Sequence, residues 1–183
     1  MTLDPSEILP LEEYEARRDA IRARVLEEKR VRRVHLGAAL TFLFENADTL
    51  RYQVQEMVRA ERLRRPEEIR HEVETYGEVL GGPGELGCTL LIELADARER
   101  DEKLRAWMGL PDRLYVRLAD GRKVRPAYDR RQVGEDRLSS VQYLKFAVDG
   151  VAPVAVGCEQ PGIAGEVELS QEQRAALAAD LWA

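Results

Sequence analysis

Near Val31 the hydrophobic period of the chain falls from about 3.6 residues to 2, so the fold has to supply both helix and sheet surfaces. Before that point Leu11, Tyr14, Ile21 and Val25 recur at helical spacing, with Arg18 interrupting the stripe. Pro10 suits the start of this helix, and Glu12 and Glu13 suit the positive end of its dipole. After Val31, the residues Val34 and Leu36, then Leu40, Phe42 and Phe44, alternate on either side of Gly37-Ala38-Ala39. A three-residue loop there pairs Leu36 with Leu40 and Val34 with Phe42, which gathers the apolar residues on one face of a hairpin.

The rest of the chain continues the two periods. Asn46 is a good N-cap for a helix carrying Leu50, Val54, Met57 and Val58, and Pro66 breaks it and starts another with Ile69, Val73, Tyr76 and Leu80. The short connection predicts an antiparallel helical hairpin. Gly81-Gly82-Pro83-Gly84 stops the second helix, and Cys88 to Leu94, apolar on both faces, reads as a central strand. Asp96 with Glu99 caps a helix ending near Gly109. Leu114, Val116 and Leu118 then alternate up to Asp120-Gly121, where a three-residue loop with Gly121 left-handed pairs Val116 with Val124 and Leu118 with Arg122. Val141 to Val148 and Pro153 to Cys158 are further strands, Val167 to Leu169 a short edge strand, and Ser170 with Gln173 caps a terminal helix.

The expected architecture is therefore a single α+β domain over residues 1–183, a mostly antiparallel mixed sheet of about six to eight strands with the N-terminal helices packed against it. It is helix-rich over 1–110, strand-rich over 111–169 and closed by a C-terminal helix over 170–182. A hydrophobic content of 44% supplies core material beneath a surface in which 34% of residues are charged. The net charge of -6 is interleaved along the helices, which argues against nucleic acid or an anionic membrane as partner. Met1 to Pro10 carries acids and prolines where a signal peptide would carry basic residues and an apolar run, so the cytoplasm is the expected compartment. Lysine is limited to Lys29, Lys103, Lys123 and Lys145, and Asn46 is the sole asparagine, as expected of a heat-adapted source or of a high-GC genome.

Several of these segments carry a resemblance. Leu43 to Thr49 (LFENADT), Gln55 to Arg62 (QEMVRAER), Gly82 to Gly87 (GPGELG), Arg131 to Phe146 (RQVGEDRLSSVQYLKF) and the C-terminal LSQEQRAALAADL resemble, in order, the uncharacterised bacterial family called domain of unknown function 3501. Members are often encoded beside a rubrerythrin-like protein and an iron–sulfur oxidoreductase, so the resemblance implies an accessory role in redox or oxidative-stress metabolism, with one of these as protein partner. It brings no catalytic motif to carry over.

Cys88 and Cys158 form no CxxC pair and lie far in sequence from His35 and His71, so a zinc or iron–sulfur site within the chain is not expected, and no cofactor is implied. Any electron-transfer centre would have to belong to a partner. The glycines of Gly81 to Gly87 lack the Lys-Ser or Lys-Thr of a phosphate loop. Glu68 and His71 match half of a di-iron Glu-x-x-His pair, and with Glu72 they are the candidate metal ligands, set against a solvated helix face. Glu56, Arg59, Glu61 and Glu93 form an alternative polar set, open either to a cleft or to pairing with arginines, and for Glu93 an arginine partner is expected. Arg130, Arg131, Glu135, Asp136 and Arg137 lie in the most polar stretch between strands, which is either a docking surface or an internal salt-bridge network. With no Ser/His/Asp or Cys/His arrangement evident, the leading reading is a non-enzymatic accessory or interaction protein. The alternative is a small carboxylate-dependent enzyme or ligand-binding protein, with or without a metal, built on Glu56, Glu61, His71 and Glu72.

Overall fold

The computed structural model describes residues 2–182. Strands β1 (Arg33–Leu36) and β2 (Leu40–Glu45) pair antiparallel with Leu36 opposite Leu40 and Val34 opposite Phe42, the register required by the alternation of apolar residues. Val34, Leu36, Leu40, Phe42 and Phe44 enter the main core, and every residue of β2 is buried, so its second face is covered too. Strand β3 (Glu85–Ile92) lies between β2 and a later strand, as its two-sided apolar composition predicts. It begins at Glu85, three residues before Cys88, and stops at Ile92, which leaves Glu93 and Leu94 outside the strand.

The strands do not form one mixed sheet. With β4 (Leu114–Arg117), β5 (Lys123–Val124), β6 (Val141–Ala147), β7 (Ala155–Cys158) and β8 (Gly165–Glu168) they make two four-stranded sheets, in the orders β1-β2-β3-β6 and β5-β4-β7-β8, and every pairing is antiparallel. The physical reason is the number of apolar faces to be covered: Leu114, Val116, Val156 and Cys158 bury theirs directly against the β1–β3 and β6 residues, sheet on sheet, where the remaining helices are too few to do so. The boundary between helix-rich and strand-rich halves is crossed by β6, which pairs with β3. Sheet edges are largely protected. Ala127, just past β5, exchanges two backbone hydrogen bonds of 2.8 Å with Lys145 of β6, and β1 runs beside β8 and β7.

Helices α1 (Leu11–Arg30), α2 (Ala47–Glu61) and α3 (Pro66–Gly77) form a layer in which both α1 and α3 pack on α2 and α1 reaches β2. The helical hairpin forms as expected: the Asn46 side chain accepts from the backbone N–H of Thr49, α2 ends at a left-handed Arg62, and Pro66 opens α3. Val54, Val58 and Val73 make a second small core between the two. Helices α4 (Ala97–Ala106) and α5 (Gln171–Asp180) each start at the expected cap, Asp96 and Ser170, and send Leu104 and Leu177 into the main core.

That core holds Phe42, Phe44 and Phe146 with no exposure, the last two with ring centroids 6.3 Å apart. Each such side chain contributes about 2–3 kcal/mol by leaving water. Cys88 and Cys158 are free thiols within it, and burial pushes both thiols up from their ordinary value.

Candidate functional site

The connection between β5 and β6 carries the five residues expected to meet a partner. At its start, in a 3-10 turn over Arg130–Gln132, the Gln132 amide donates to the Tyr143 carbonyl at 2.9 Å and accepts from the Tyr143 N–H at 2.7 Å, standing in for one rung of a β ladder on β6. At its end Asp136 pairs with Arg105 at 2.5 Å and Arg137 with Asp101 at 2.6 Å, both on α4. Between these anchors Arg130 lies over the Tyr128 ring, 6.0 Å from its centroid, and Arg131 reaches only Asp129, with 90% of its side chain exposed. Glu135 is exposed as well. Asp136 and Arg137, themselves exposed, are thus tied to α4 by surface ion pairs, and Arg130, Arg131 and Glu135 face solvent. Next to them lies a groove of about 510 Å³ bounded by Thr75, Val79, Tyr128, Gln132 and Tyr143, the last 42% exposed.

The alternative polar set does not assemble. Glu56 faces α1, where Arg18 donates two hydrogen bonds of 2.8 Å to it and the Tyr14 hydroxyl a third of 2.5 Å. The Arg18 guanidinium, helped by Tyr14, holds the Glu56 carboxyl down at about 2, while burial and that carboxylate push the Tyr14 phenol well up. Arg59 pairs with Glu15 at 2.8 Å, a second α1–α2 link, and Glu61 ends α2 exposed. Glu93 accepts from the Thr41 hydroxyl, not from an arginine; because β3 stops one residue earlier, its carboxylate sits in solvent and needs no buried counter-charge. The His35 Nδ1 lies 2.8 Å from the same hydroxyl.

The candidate metal ligands are likewise dispersed. Glu68 accepts from Arg65 at 2.9 Å, and His71 is exposed, because Ile69, Val73 and Tyr76 take the packed face of α3 and leave the Glu-x-x-His positions outside it. Among the described residues no group of three or more His, Cys, Asp or Glu is placed to hold a metal ion, and no helix is long and apolar enough to cross a membrane.

Residues 2–181 match the model of a family described as "Protein of unknown function (DUF3501)". The chain belongs to that family. It is similar to the crystal structure of a novel protein of unknown function from Burkholderia pseudomallei K96243, with 29% identity and a TM-score of 0.90 over 99% of this chain and 100% of that one. No curated protein matches.

In this DUF3501 chain, three of the segments that carry the resemblance converge on one cavity. Glu45 and Asn46 come from the first, Gly82 and Glu85 from the third, and Asp180 and Leu181 from the C-terminal helix. Sequence reasoning passed over Arg32, Glu45 and Asp180. The available signal was parity: Glu45 shares the face of Thr41 and Leu43 on a strand whose every residue is buried, so a carboxylate there requires arranged partners. Arg18 left the same kind of trace, an interruption of an apolar stripe that turns out to be the partner of Glu56.

Proposed function

We propose that the chain is a non-enzymatic accessory protein that docks on a protein partner through Arg130, Arg131 and Glu135, within a bacterial redox or oxidative-stress system. One observation carries this reading: two arginines and an acid stand exposed on a loop that is fixed at both ends, beside a groove with a half-exposed tyrosine. Arginine and tyrosine are the residue types that dominate interface energetics, and a loop already fixed loses little entropy when it binds. The redox setting is supported by the neighbours that the family resemblance implies, an iron–sulfur oxidoreductase and a rubrerythrin-like protein.

An enzymatic reading finds less support. Glu56 is held by Arg18 and Tyr14, and both thiols are buried. The test is affinity: the wild-type chain should bind one of those two neighbours, and the Arg130→Ala, Arg131→Ala double variant should bind it at least tenfold more weakly while keeping its fold.

A further inference from the structure

Where β2 ends and α2 begins, Glu45 is 8% exposed. Its two oxygens accept from the hydroxyls of Thr89 at 2.7 Å and Thr49 at 2.5 Å, and among the described residues no basic side chain pairs with it. A carboxylate withdrawn from water normally has a cation beside it, and even the partly buried Glu56 and Asp180 have one each, Arg18 and Arg32. Glu45 instead lines a cavity of about 240 Å³. Leu80, Leu86 and Leu181 supply apolar walls, Glu85 adds a second carboxylate, Asp180 is neutralised by Arg32, and Trp182, 81% exposed, stands at the edge. Asp180 also closes α5, whose C-terminal end is the negative pole of its dipole.

The geometry points to this cavity as a binding site for a small organic cation, a primary alkylammonium whose charged head meets Glu45 and whose chain lies along the leucines. An ammonium group has three donors to offer a carboxylate whose existing contacts are two hydroxyls, and the indole of Trp182 favours a cation over its face. A neutral molecule of the same shape would leave the Glu45 charge uncompensated. The apolar walls favour a carbon chain over a bare metal ion, which takes its ligands from oxygen, nitrogen or sulfur. The site shares no lining residue with the Tyr143 groove, so the inference stands apart from the docking role of the Arg130–Arg137 loop.

The test uses n-butylammonium and 1-butanol as probes on the full chain at constant ionic strength, with binding read by titration calorimetry and by Trp182 fluorescence. Saturable binding of the amine, at least tenfold tighter than any binding of the alcohol, is expected, and Glu45→Gln should abolish that preference. Should Glu45→Gln fail to fold, Trp182→Ala serves instead, since its side chain is exposed, and calorimetry should show at least threefold weaker amine binding. Equal response to amine and alcohol, no saturable amine binding, or amine affinity unchanged in the variant would each overturn the assignment.

Discussion

Arg32 and Asp180, 148 positions apart, are joined by two hydrogen bonds of 2.7 and 2.8 Å that tie the end of α1 to the end of α5. Arg32 also donates to the carboxylate and the backbone carbonyl of Glu28, and its side chain is 7% exposed. Removing Asp180 leaves a guanidinium in a near-dry site with one partner fewer. Asp180→Ala should therefore cost about 3 kcal/mol in chemical denaturation, whereas replacing both partners by apolar residues of similar volume should cost less. A loss below about 1 kcal/mol for the single variant would mean that water replaces the carboxylate freely.

Glu56 sets an acid limit on stability. Its carboxyl is held at about 2, below the ordinary value of 4.5, first by the Arg18 hydrogen bonds and then by Tyr14. A depressed folded value means that the contribution is fully present above the unfolded value and is lost as pH falls from about 4.5 toward 2. Because the pair is about a quarter exposed, roughly 2 kcal/mol is a fair size for it. Stability measured from pH 6 to pH 2.5 should fall more steeply in the wild type than in Glu56→Gln, and parallel curves would contradict the linkage.

Two glycines should respond differently to alanine. Gly121 has a φ of +88 with open space around its missing side chain, so Gly121→Ala should cost about 1 kcal/mol through backbone conformation alone. At Gly87, on the central strand β3 opposite Glu45 and Lys145, an added methyl would lie 2.0 Å from the Val79 carbonyl oxygen. Backbone cannot yield there as a flexible side chain would, so Gly87→Ala should cost about 3 kcal/mol or more. Denaturation midpoints in the reverse order would show that the turn and the strand are built differently.

Cys88 and Cys158 face the core between the sheets, where burial disfavours the thiolate. Native protein should react slowly with a thiol-specific disulfide reagent, and unfolded protein should release two equivalents promptly. Fast native labelling would indicate an opening of the sandwich that exposes a strand.

Much of the fold was legible because local patterns and tertiary contacts agree. The hairpin register of Val34 with Phe42, the left-handed Gly121, and the caps at Asn46, Asp96 and Ser170 all follow from spacing that a single segment contains. The split into two sheets was not legible, since parity says which residues share a face but not which face lies opposite. The Arg32–Asp180 link and the cavity at Glu45 were hidden for the same reason. Each is made by residues brought together only when the end of α5 docks beside the α1–β1 and β2–α2 junctions, and no local period encodes that.

The proposed function rests on docking through Arg130, Arg131 and Glu135. The most direct test is calorimetric titration of the chain with an iron–sulfur oxidoreductase or a rubrerythrin-like protein, the partners that the family resemblance implies, against the Arg130→Ala, Arg131→Ala double variant. Both side chains are solvent-exposed and bond nothing beyond their own loop, so the variant should keep its thermal midpoint within about 2 °C. Wild-type binding should be saturable and should weaken at least tenfold in the variant, and it should weaken with rising salt. No binding by the wild type to either protein, or equal binding by the folded variant, would contradict it.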